Sequence, residues 1–275
     1  MEIFILLQKA ILYDFIQKAL ICGTLIAITS SLLGNFLVLK KQSLISDGLS
    51  HVSFATIAIS LFLGLPPLFV SIPLVIFASI LINRLGEKTN VYSDSAIGLV
   101  SAFSIAIGVI IVSINKGFNI DIYSYLFGSI LSISFEEIIL TLIVSIISII
   151  LLILFLNDLF LVTYDQDFAS VSKINTKILN IIIGIIQSII IVVGIKIVGA
   201  MLMSSLIIFP PITALQIAKN FKSMIIISLI LSVTSVITGI FLSFIFNLPT
   251  GATIVVINGI FFIISFFLNK IEKIK

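Results

Sequence analysis

The sequence holds one histidine, His51, four residues after a carboxylate, Asp47, in the run S-L-I-S-D-G-L-S-H-V-S-F. On a helix that spacing stacks the two side chains on one face, one turn apart. Ser43 and Ser50 are placed on the same stripe. An imidazole beside a carboxylate is a donor set for a borderline-to-hard divalent cation such as zinc, manganese or ferrous iron. Binding there needs neutral His51 and ionised Asp47, so protons compete for the pair. Two side chains do not complete a metal shell; water, backbone or a neighbouring segment must supply the rest. An open shell suits an ion that has to be released. The competing reading is structural: Asp47 caps a helix just inside a membrane surface and His51 hydrogen-bonds within a bundle.

That membrane is set by composition. A soluble domain keeps about a quarter of its residues charged. Here 10% are charged and 60% hydrophobic, with a mean hydropathy of +1.37. A water-facing surface cannot be built from that mixture, whereas a lipid-facing one can. An ionisable pair at membrane depth costs about 2.5–3.5 kcal/mol per residue on insertion scales, so it faces a cavity and has work to do. The apolar runs are long and continuous, unlike the short alternating segments of a membrane barrel. The fold class is therefore all-α, a polytopic transmembrane bundle formed as a single domain over 1–275. A net charge of +3 gives no argument for nucleic acid as a partner; lipid is the solvent. The lone cysteine, Cys22, sits in an apolar run and excludes a disulfide framework or thiolate cluster. The N-terminal stretch lacks a small-residue cleavage site and reads as a retained segment, interfacial or the start of the first span.

Apolar stretches bounded by charge or by Gly and Pro give nine spans: 16–39, 44–64, 67–84, 94–114, 135–156, 178–198, 199–218, 223–246 and 250–269. Eight is the alternative count. The weakest division is in 178–218, where only Lys196 and Gly199 interrupt the run. Two connections are longer, 115–134 and 157–177. The positive-inside bias orients the chain. Placing the 40–43, 84–93, 157–177 and 219–222 loops and the tail in the cytoplasm puts eleven basic residues there and leaves Lys9, Lys18, Lys116 and Lys196 elsewhere. The N-terminus is then outside and the C-terminus cytoplasmic.

The 157–177 stretch is the most polar in the chain. Asp165 suits an N-cap, Asp167 the positive end of a helix dipole, and Lys173 and Lys177 the other end. A short capped cytoplasmic helix there could push on a partner; an ordinary surface helix is the plainer reading. Glu136 and Glu137 read as solvated acids at a helix start, and Asp94 as an N-cap. Met201 and Met203 are soft donors, though methionine in an apolar span usually packs. Pro210-Pro211 and the L-P-T-G run at 248–251 mark breaks or kinks. No G-x-x-x-x-G-K-[ST] pattern occurs, so ATP hydrolysis, if it drives the protein, belongs to another polypeptide and the chain itself is not an enzyme.

In order, the chain carries F-L-V-L-K-K and S-D-G-L-S-H (36–41, 46–51), D-S-A-I-G (94–98), and S-Y-L-F-G-S-I-L (124–131). Next come Y-D-Q-D-F-A (164–169), V-G-A-M-L-M-S-S-L-I-I-F-P-P-I-T-A (198–214) and L-P-T-G-A-T-I-V (248–255). This ordered set resembles the permease subunits of ABC importers for zinc, manganese and iron. The resemblance implies a multi-pass protein of the bacterial plasma (inner) membrane that works as a homodimer with a separate ABC-type ATPase. It also implies an extracytoplasmic metal-binding protein that delivers the ion. It makes Asp47 and His51 the metal-contacting pair. It makes the segment at 164–169 the coupling helix that docks on the ATPase, with Asp165, Asp167 and Phe168 as contacts. The cofactor-like species it implies are the transported ion and the ATP used by the partner; none is permanently bound. The chain departs from the family at Ser172-Lys173, where a glycine is usual, at Lys40-Lys41, often arginines, and at Val52, usually alanine. A proton-coupled secondary metal transporter using the same pair is the rival reading.

Overall fold

The computed structural model describes residues 12–88, 92–114, 128 and 133–272. Among them every regular element is an α-helix: α1 (Asp14–Leu39), α2 (Ile45–Phe62), α3 (Pro67–Lys88), α4 (Ser93–Ile114), α5 (Phe135–Leu154), α6 (Leu156–Tyr164), α7 (Gln166–Val171), α8 (Thr176–Val198), α9 (Ala200–Ile217), α10 (Phe221–Phe246) and α11 (Thr250–Glu272). Nine of these are long and apolar enough to cross a membrane, and their ends fall within two residues of the expected spans. The expected N-terminal segment and most of the 115–134 connection lie outside the described residues.

The doubtful division in 178–218 is real. Gly199 takes φ +87° and ψ 160°, a backbone conformation closed to residues with a Cβ, and separates α8 from α9. An ion pair fixes the sense of the neighbouring spans. Lys196 Nζ in the last turn of α8 lies 2.8 Å from Glu137 Oε1 in the first turn of α5. The start of α5 and the end of α8 therefore share one end of the bundle. Glu137 also closes a capping box with Ser134. It is thus a paired residue, not the merely solvated acid expected from sequence; Glu136 is exposed, as expected.

Helix α1 lies in the middle, packed against α5, α8, α9 and α10. Helices α2, α3 and α4 pack on one another to one side, with α3 against α8, while α9, α10 and α11 form the other side. Pro210 and Pro211 do not break α9, which runs through both. Their effect is local. A proline at 211 has no N–H for the carbonyl of Ile207, one turn earlier. Gly34 of α1 packs directly on that freed carbonyl, so closely that a Cβ at 34 would overlap it. Asp94 sits inside the first turn of α4, not at its N-cap as the sequence suggests.

Candidate metal centre

Asp47 falls in the first turn of α2 and His51 one turn later. The helix has two faces. Ser46, Ser50, Ser53, Thr56 and Ser60 are buried against the bundle, and Ser50, Thr56 and Ser60 donate to carbonyls of their own helix at 2.7–2.9 Å. Leu44, Asp47, His51 and Phe54 form the more open stripe. Ser50 is therefore turned away from the pair, a correction to the stripe read from spacing: three residues of rotation carry it into the packed side. Ser43 stays partly open.

Asp47 Oδ2 and His51 Nε2 are 3.6 Å apart, with 58% of the aspartate side chain and 33% of the histidine side chain exposed. That is too long for a well-formed hydrogen bond. Two donors sharing one tetrahedral divalent ion at ordinary bond lengths stand roughly 3.4 Å apart. The pair is thus close to a bridging geometry and faces open space. Among the described residues no group of three or more His, Cys, Asp or Glu side chains converges. One chain offers two protein ligands here. Met203 is no third: it is fully buried, packs on Gly194 and accepts a hydrogen bond from Ser30. Met201 is about half exposed.

Asp165, Asp167 and Phe168 form a second constellation. Asp165 is the N-cap of α7, its Oδ1 accepting from the Phe168 N–H at 2.9 Å. The helix is only six residues long, and Ala169 anchors it by complete burial. Tyr164, at the end of α6, and Phe168 and Val171 of α7 project outward at 80, 58 and 82% exposure. A cluster of exposed large apolar side chains near two carboxylates is a docking surface in form. Sequence reasoning singles out Phe168 and misses Tyr164 and Val171, of which only Val171, three residues on in the same helix, follows from spacing. It also leaves 157–164 in a connection, whereas this stretch belongs to helix α6, held by the buried Leu159 and Val162. Lys177 lies in the first turn of α8, not at the end of α7. Within the Ser172-Lys173 step, Lys173 takes φ +64°. The position keeps the left-handed conformation that a glycine would adopt freely.

A polar cavity of about 490 Å³ lies between the α1–α2 turn and α7, lined by Lys40, Gln42, Asn83, Gly86, Ser93 and Gln166. Lys40 donates to Asn180 Oδ1 of α8 at 2.9 Å. Neither feature is visible in the sequence.

Comparison with known proteins gives one answer. Residues 12–269 match the model of the ABC 3 transport family. The manganese transport system membrane protein MntC of Listeria monocytogenes is 31% identical over 260 residues, covering 94% of this chain and 92% of MntC. The high-affinity zinc uptake system membrane protein ZnuB of Haemophilus influenzae is 29% identical over 256 residues, covering 93% and 98%. In the solved structure of PsaBC from Streptococcus pneumoniae in complex with Fab, a chain 29% identical superposes with a TM-score of 0.83, over 96% of this chain and 94% of that one. The chain therefore belongs to the ABC 3 transport family, as a transport subunit that spans the bacterial plasma membrane many times.

Proposed function

We propose that the protein is the permease subunit of an ATP-driven importer for a divalent metal ion, zinc, manganese or ferrous iron. It works as a homodimer with a separate ATPase and receives the ion from an extracytoplasmic binding protein. The whole chain acts as one permease domain, N-terminus outside and C-terminus in the cytoplasm. The observation that carries the reading is the open Asp47–His51 pair, 3.6 Å apart on the unburied stripe of α2. Two protein ligands from one chain become four when a second copy presents the same stripe across a two-fold axis, as isologous contacts require. Relatives named for manganese and for zinc support the ion class. In this mechanism the ion pauses between the pairs. ATP binding and hydrolysis on the partner move α7 through its exposed Phe168 and Val171 and through Tyr164 at the end of α6, with Asp167 beside them, and access to the pairs switches sides.

The test is cell-associated zinc, manganese and iron in cells lacking this chain, restored with wild type, Asp47→Ala or His51→Ala. One metal should fall on deletion and return with wild type only, with each variant still present in the membrane. Normal uptake by Asp47→Ala would remove the assigned site. Uptake that persists without an ATPase and tracks a proton gradient would establish the secondary transporter instead.

A further inference from the structure

Gln166 of α7 and Lys40 and Gln42 of the α1–α2 turn line one polar cavity of about 490 Å³. Both elements that flank α7 reach α1, and they reach the same turn of it. On the N-terminal side, the Tyr164 ring stacks on Phe160 with centroids 5.9 Å apart. Phe160 meets Phe221, the first residue of α10, at 4.5 Å, and Phe221 meets Phe36 of α1 edge-on at 5.7 Å. On the C-terminal side, Asn180 of α8 accepts the hydrogen bond from Lys40. Phe36 and Lys40 are four residues apart, one turn on one face. Phe36 is fully buried at the core, whereas Tyr164 is exposed at the docking surface, so the four rings run from surface to centre.

The turn that joins α1 to α2 is closed by backbone hydrogen bonds. The N–H groups of Lys41 and Gln42 donate to the carbonyls of Val38 and Leu37, and that of Ile45 to Gln42, at 2.9–3.1 Å. Asp47 comes two residues after Ile45. The last turn of α1 is thus joined to the first turn of α2 by a short hydrogen-bonded turn and not by a long loop.

Resting on the coupling role proposed above for α7, we infer that the inner end of α1 receives the displacement of the coupling helix. Phe160 and Phe221 act as positioning residues that pass it to Asp47 and His51.

The experiment uses the complete transporter, permease with ATPase and binding protein, reconstituted in liposomes, and reads ions taken up per ATP hydrolysed. Phe221→Leu keeps apolar bulk but removes the ring. Expected are wild-type amounts of co-purified ATPase, continued hydrolysis, and a fall of about fivefold in ions per ATP, within the range of coupling energies carried by packed networks. Phe160→Leu, on the partly exposed α6, should do the same, and Phe221→Tyr should restore the ratio. A wild-type ratio in both leucine variants overturns the inference. So does loss of the ATPase from either variant, which would make the rings part of the docking surface. If wild type itself binds no ATPase and takes up metal without ATP, it is the importer reading that has failed, and this inference with it.

Discussion

Helices α1 and α5 pack against each other, yet they are built to opposite plans. In α1, 72% of the most apolar stretch is buried; in α5, 22%. The exposed helix is the more apolar one. Along α5 the buried positions are Thr141, Ser145, Ser148 and Leu152, a stripe at i, i+4, i+7 and i+11, while Ile139, Ile143, Ile146, Ile147 and Ile150 face outward. At the centre of α1, Thr29, Ser30, Ser31, Gly34 and Asn35 are all buried. In lipid, leucine gains nothing by leaving one apolar surface for another, so close approach and interhelical hydrogen bonds decide what goes inside. Along α5 small and hydroxyl-bearing residues mark the packed face and branched aliphatics the outer one, whereas the buried α8 packs mostly through isoleucine and valine.

Three substitutions sharpen or break that contrast. The largest effect is expected at Gly34, where an added Cβ meets the backbone carbonyl of Ile207, which no rotamer change can clear. Gly34→Ala should cost about 3 kcal/mol or more and be read as loss of the monodisperse folded species in detergent. Next is Asn35→Leu, which deletes the 2.8 Å bond to Ser228 of α10. It should destabilise by about 1 kcal/mol, the usual worth of a hydrogen bond between membrane helices, and lower the thermal midpoint while leaving expression intact. The smallest is Ile147→Ala on the outer face of α5, half exposed, expected to stay within about 0.5 kcal/mol. A cost at Ile147 equal to that at Asn35 would remove the distinction between the two helices.

The same logic explains what can be read from sequence. Span positions come from local composition, and Gly199 marks its division because a single residue carries the required conformation. Asp47 and His51 can be paired because the helix itself sets their spacing. Contacts between distant residues leave no such trace in one sequence. Glu137 and Lys196, Lys40 and Asn180, and the Phe36–Phe221–Phe160 stack are brought together by packing alone. Helix α6 reads as a connection when its polar residues, Asn157 and Asp158, are weighed above the spacing of Leu159 and Val162. The open face of α2 cannot be chosen over the serine face without knowing which neighbours pack on it.

The amide of Asn35 has a consequence for how the chain is made. Its Nδ2 donates to two oxygens, the Ser31 carbonyl of its own helix at 2.7 Å and Ser228, 193 residues later. At ordinary synthesis rates that interval takes about 10–40 s. Through it α1 sits in the bilayer before α10 exists, carrying an amide that lipid cannot satisfy. The Ser31 carbonyl is available from the moment the helix forms. Asn35 thus enters the membrane with its Nδ2 already bonded locally and gains the second acceptor, Ser228, when α10 arrives, so a helix that carries a core amide can wait in lipid for its partner.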